Sequence, residues 1–110
     1  MSIMMNLYYT GTGGAARAFV REMEDSGTAD RIRAEEGNER YAYFFPADDP
    51  ETVLLIDIWT DQAAIDRHHA TPMMQTIGSL REKYDLRMRA ERYVSDEAGL
   101  PDTERKFIRE

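Results

Sequence analysis

The chain has 110 residues, 42% of them hydrophobic and 10% aromatic, with a formal net charge of −7 and no cysteine. One core is expected at this length, and the apolar fraction is too high for a disordered chain. The acidic balance would repel a phosphate backbone or an anionic membrane surface, so nucleic acid is not an expected partner, and the lack of cysteine excludes disulfides, thiolate metal ligation and thiol catalysis.

The opening MSIMMNLYY has neither a basic n-region nor a long apolar segment. No run elsewhere approaches the roughly 20 residues that cross a bilayer, so no membrane association and a cytoplasmic location are expected. Ile3 to Thr10 reads as a strand that stops at the turn Gly11-Thr12-Gly13-Gly14. Neither a P-loop Lys-Ser/Thr nor a full GxGxxG follows, so these glycines are read as a turn rather than a phosphate cradle.

Ala16, Phe19, Val20 and Met23 follow helical spacing, with Arg17, Arg21, Glu22 and Glu24 on the other side. Ser26-Gly27 interrupts that helix. Thr28 is expected to cap a short second piece running to Glu35, closed by Gly37 in the left-handed conformation. A second strand is predicted over Arg40 to Pro46, with Tyr41, Tyr43 and Phe45 on one face and Ala42 and Phe44 on the other. The turn ADDPE joins it to a third strand, Thr52 to Trp59, as a hairpin.

Thr60 or Asp61 then caps a helix carrying Ala64, Ile65, His68 and His69. Thr71-Pro72 starts another, with Met73, Ile77, Leu80 and Tyr84 as its apolar stripe. Leu86 to Val94 is the last strand, with Leu86, Met88 and Ala90 on one face, and the polar stretch after it forms a tail. The order β, α, β, β, α, α, β is that of an α+β, ferredoxin-like split βαβ sandwich: an antiparallel four-stranded sheet with helices on one face. The other face would be left uncovered, and a homodimer is the ordinary remedy.

Alternation on the third strand puts Val53, Leu55, Asp57 and Trp59 on one face and Leu54, Ile56 and Ile58 on the other. Asp57 therefore lies in a central strand, where an unpaired carboxylate is costly and requires a partner or a raised pKa. The partner is either an arginine (Arg33, Arg40, Arg87 or Arg89) or His68, whose other ring nitrogen would then be a better base. Consecutive His68 and His69 point about 100° apart on a helix, so they cannot form an i, i+4 metal pair, and at most one is expected to line a pocket. No metal is expected. Asn6, in the first strand, is open to three readings: a bulge, an exposed edge position or a ligand-orienting amide.

The segment EEGNERYAYFFPADDPETVLLIDIWTDQAAIDRHHATPMM resembles the antibiotic biosynthesis monooxygenase (ABM) family of the dimeric α+β barrel superfamily. Its carriers are Glu36-Gly37 before the second strand, the strand ending in Trp59, His68 nine residues later, and Thr71-Pro72-Met73. The resemblance implies an ABM-like domain over residues 1–95, a C-terminal tail over 96–110, and two sheets packed together in a homodimer. Some members oxygenate quinols or polycyclic phenols with no flavin, haem or metal, so the implied function is a cofactor-independent monooxygenase using O₂ and a small aromatic substrate.

By similarity of position, Trp59 would be the pocket wall, His68 the base or donor and Asn6 a substrate-orienting amide, with Asp57, singled out by the strand pattern, completing the catalytic group. Trp59, Tyr43, Met73 and Ile77 would contact the substrate. Many members have Glu where this chain has Asp57. Related isomerases of a phosphorylated sugar-like compound share features with Glu35-Glu36-Gly37-Asn38 and Arg40, and a non-catalytic ligand-binding dimer is a third possibility. Haem-degrading relatives carry an axial His on the last helix, and no His lies between Pro72 and Tyr84 here.

Overall fold

The computed structural model describes residues 1–110. Its main elements are β1 (Ile3–Thr10), α1 (Ala15–Asp25), α2 (Thr28–Arg33), β2 (Asn38–Phe44), β3 (Thr52–Trp59), α3 (Gln62–His69), α4 (Met73–Lys83) and β4 (Arg87–Val94), followed by the short α5 (Asp102–Arg105). The four strands form one antiparallel sheet in the order β2-β3-β1-β4. This is the ferredoxin-like order expected of two crossovers flanking a hairpin.

The alternation of β1 and β3 sets the two faces. Ile3, Tyr9, Val53, Leu55 and Trp59 point toward the helices and are buried against Ala16, Phe19 and Met23 of α1, Ile32 of α2, Ile65 of α3 and Ile77 and Leu80 of α4. Each large apolar side chain buried this way contributes roughly 1.5–3 kcal/mol. The opposite face carries Leu54, Ile56 and Ile58 of β3 beside Met4, Asn6 and Tyr8 of β1 in register, all of them half-buried with no helix over them. The sheet is open, and this uncovered apolar face matches the expectation from the strand pattern.

Several boundaries differ from the sequence reading for local reasons. Thr28 does not cap α2: Gly27, at φ 80°, occupies the cap and Thr28 is the first helical residue. β2 begins at Asn38, with an irregularity between Asn38 and Arg40, and ends at Phe44. Phe45 thus leaves the sheet and lies exposed, beneath the Arg17 guanidinium at 4.0 Å. The expected capping of α3 is met by Asp61, whose side chain accepts from the Ala64 N–H at 2.9 Å. Pro72 precedes α4 in helical conformation. Leu86 falls just before β4, after Asp85 at φ 51°.

Residues 96–110 are exposed throughout. No helix of the chain is long and apolar enough to cross a membrane.

Candidate functional site

Strand register places one transverse row of side chains across the helix-facing side of the sheet: Tyr41 of β2, Asp57 of β3, Met5 of β1 and Arg92 of β4. Helices α3 and α4 pack over part of this face, and a cavity of about 280 Å³ remains between them and the sheet. Most of its lining is apolar or aromatic, including Met5, Leu7, Tyr9, Tyr41, Trp59 and Ile77, with Asp57, Gln62, His68, His69, Arg81 and Arg92 as polar groups. β4 is exposed along almost its whole length, so the cavity opens on that side. A larger depression of about 410 Å³ lies on the outer face, but it is an open polar groove lined by residues such as Thr10, Asp48, Asp49 and Arg89.

His68 is 5% exposed and stacks on the indole of Trp59, with ring centroids 4.8 Å apart. Its Nδ1–H donates to Glu35 Oε2 at 2.7 Å, which fixes the ring and leaves Nε2 without a protein partner. Glu35 reaches His68 because of Gly37. At φ 87° this glycine turns the chain from α2 into β2, and its carbonyl accepts from the Thr60 N–H at 2.9 Å. A Cβ at position 37 would lie 2.6 Å from Ala64 Cβ and 2.9 Å from Thr60 Oγ1, so only glycine lets the turn dock onto the start of α3.

Asp57 is 6% exposed, and its Oδ1 is buried without a hydrogen-bond partner. Its pKa is pushed up to about 7: burial is the main cause, the Trp59 side chain opposes it, and the Glu35 carboxylate adds to it. The aromatic hydroxyls respond to the same desolvation. Burial holds the Tyr9 phenol above its ordinary value, with Arg81 acting against it. Tyr41 and Tyr43 are also raised, mainly by burial, and their hydroxyls lie 3.2 Å apart.

The structure therefore corrects the expected pairing. Asp57 meets neither an arginine nor His68, and the carboxylate that holds His68 is Glu35. Of the arginines considered, Arg33 is engaged by Glu24 and Asp30, each at 2.8 Å, Arg89 by Glu91, and Arg40 by the Phe44 ring, while Arg87 pairs with Thr10 at the far end of β1.

Asn6 belongs to the opposite face, in the row of Ile56 and Glu91, so it does not share the cavity with His68. Its Oδ1 is buried and unpartnered there. Trp59 and Ile77 line the cavity as expected, whereas Tyr43 and Met73 do not, and Tyr41 and Met74 take those places. Tyr43 instead packs edge-on against Phe19. Both histidines border the cavity, His69 from an exposed position 5.7 Å from the His68 ring, rather than at most one of them. No group of three or more His, Asp or Glu side chains is placed to hold a metal ion.

Glu35 is the His68 partner that residue patterns missed. Its only sequence signal is the Glu-Glu-Gly turn, whose glycine marks a close backbone approach. Arg81 and Arg92 were likewise missed, since helical and strand spacing alone does not separate rim residues from solvated ones.

A family model described as antibiotic biosynthesis monooxygenase matches residues 2–78. No curated protein is similar enough in sequence to match. Among solved structures, the chain is similar to a Deinococcus radiodurans protein provisionally called an antibiotic biosynthesis monooxygenase, with 16% identity, coverage of 86% of this chain and 93% of that one, and a TM-score of 0.75. It is also similar to a Pseudomonas aeruginosa protein, at 23% identity, 86% and 93% coverage and a TM-score of 0.72. A third is SnoaB of Streptomyces nogalater, a cofactor-independent oxygenase, at 17% identity, 87% and 94% coverage and a TM-score of 0.71.

Proposed function

The chain belongs to the antibiotic biosynthesis monooxygenase family, and from that premise we propose that it is a cofactor-independent monooxygenase of a small quinol-type aromatic molecule bound in the cavity. The observation that carries this reading is the buried cluster of Asp57, Trp59 and His68 in an otherwise largely apolar cavity. An aromatic ring can pack there against Trp59 and Ile77. A cavity of about 280 Å³ is at the small end of the roughly 300–1,000 Å³ usual for ligand sites, which suits one or two fused rings.

In this reading His68 Nε2 takes a proton from a substrate hydroxyl, with Glu35 holding the imidazole and stabilising its cationic form. Asp57 Oδ1, unpartnered in the free protein, accepts from the second hydroxyl and orients the ring. The electron-rich anion passes one electron to O₂, the two radicals combine at a ring carbon, and the imidazolium returns the proton to give a hydroperoxide. Loss of water leaves a hydroxylated quinone. One oxygen atom enters the product and the other leaves as water, so a dihydroxyarene and O₂ balance against a hydroxyquinone and H₂O. Exclusion of water by Trp59 and its neighbours strengthens each charge interaction in this sequence.

Two copies of the chain are expected to pair through the outer sheet face, which carries Leu54, Ile56 and Ile58 and is uncovered in the protomer. A second reading, isomerisation of a small polar carbonyl compound, is favoured by one observation, the presence of Arg81 and Arg92 on the cavity lining. Incubation with a panel of quinols under ¹⁸O₂ separates the two: oxygenation predicts O₂ uptake and one heavy oxygen in the product. A product of unchanged composition formed without O₂ uptake would reject oxygenation.

A further inference from the structure

Arg81 and Arg92 both line the cavity, from α4 and β4, and neither is paired with a carboxylate. Arg81 donates to Met88 Sδ at 3.5 Å and lies beside the Tyr9 phenol, whose ionisation it favours, and Arg92 has no side-chain partner. Only Arg33, Arg89 and Arg105 form ion pairs with carboxylates, so it is the position of Arg81 and Arg92 on the cavity lining that distinguishes them.

Placement makes these two cations more than solvated surface charges. Arg92 shares the transverse row of Asp57, two strands away across Met5, and neighbouring strands lie about 4.8 Å apart, so the two backbones are separated by about 10 Å. Arg92 is exposed and Arg81 half-buried, over the side where β4 is bare. The buried end of the cavity holds carboxyl and imidazole groups; its mouth holds guanidiniums, which are shaped to grip a planar anion in a forked contact.

We propose that the ligand of this cavity is an aromatic carboxylate, its carboxylate held at the mouth by Arg81 and Arg92 and its phenolic end lying toward Asp57, Trp59 and His68. The proposal rests on the aromatic-ligand reading above and narrows its substrate class. It also assigns a polarity to the bound molecule: hydroxyl inward, acid outward. In a protein of net charge −7, an anion would otherwise be disfavoured, so the two arginines supply the local field that admits it.

The test is calorimetric titration of the full chain at pH 7.5 with 6-hydroxy-2-naphthoate and with 2-naphthol, which lacks the acid. The acid is expected to bind at least about tenfold more tightly, a modest yield for charge-assisted hydrogen bonds, and to weaken as salt is raised while naphthol binding does not. The double variant Arg81→Gln, Arg92→Gln should lose that preference and keep its affinity for 2-naphthol, whereas Arg89→Gln, on the opposite face, should change neither. Equal binding of the two ligands, a preference that survives in the double variant, or an equal loss of both ligands in it would each overturn the carboxylate assignment while leaving an aromatic site in place. Failure of the wild-type chain to bind either ligand would overturn both readings.

Discussion

Replacing Asp57 by Asn tests the electrostatics of the site through stability alone. Burial raises the Asp57 pKa from 3.8 to about 7. Well below the unfolded pKa of 3.8 the carboxyl is protonated in the folded and the unfolded chain, and folding carries no charge penalty at this position. As pH rises through the window from about 4 to about 7, the unfolded chain releases the proton while the folded chain retains it, so stability falls. Three pH units at about 1.4 kcal/mol each amount to on the order of 4 kcal/mol, of which about 3 lie between pH 5 and pH 8. Asn is close in shape and carries no charge, so Asp57→Asn removes this slope. Urea unfolding of both proteins at pH 5, 6.5 and 8 should show the variant gaining about 3 kcal/mol relative to wild type across the series, because the other titrating groups cancel in the difference. A difference that is flat with pH, or one that turns against the variant as pH rises, would mean that a cation stabilises the Asp57 anion and would refute the unpaired carboxyl.

Three further outcomes follow from the same geometry. Glu35→Ala removes the acceptor of a buried charge-assisted bond and should cost about 1.5–3 kcal/mol; turnover should fall with KM little changed, and Glu35→Gln, which keeps an acceptor oxygen, should restore part of both. Wild-type melting and turnover in the alanine variant would show that Glu35 does not position His68. Gly37→Ala forces a side chain onto a residue at φ 87° and into Ala64, at about 1–2 kcal/mol for the backbone and about 1–3 for the overpacking. Its melting temperature should drop by roughly 10 °C or more, and an unchanged melt would mean that the turn is not docked on α3. Sedimentation at micromolar concentration should give a dimer for wild type and a monomer for Ile56→Lys, and a wild-type monomer would mean that the outer face tolerates water.

The sheet was legible because its signal is local. Period-two alternation in Thr52–Trp59 put Asp57 and Trp59 on one face, and the register of β1 and β3 agrees with it residue by residue. Helix α1 declared itself through Ala16, Phe19, Val20 and Met23, all four buried. Asp61 as a cap followed from its short acceptor side chain at the start of an apolar repeat. What alternation could not supply was depth. Tyr41 and Tyr43 share a face, but only Tyr41 lies in the row of Asp57, while Tyr43 sits in the row of Leu55 and is edged by Phe19. Met73 and Met74 differ by one step of about 100° on α4, and the tilt of that helix decides which reaches the cavity.

The pairing of His68 was not legible for a different reason. Its partner is 33 residues away in sequence, in a turn whose position depends on the close approach of Gly37 to Ala64 and Thr60. Without that contact in view, the nearest carboxylate by topology was Asp57. Asn6 entered the candidate site through the family resemblance, whereas parity along β1 assigns it to the face of Met4 and Tyr8, away from Met5, Leu7 and Tyr9.

The central claim is that the cavity around His68 is where O₂ chemistry occurs. Steady-state O₂ uptake with a quinol turned over by the wild-type chain, repeated with His68→Ala after confirming by circular dichroism that the variant is folded, tests it most directly. Loss of a positioned base predicts a fall in kcat of about 10²–10⁴-fold, and a folded His68→Ala protein that consumes O₂ at the wild-type rate would contradict it.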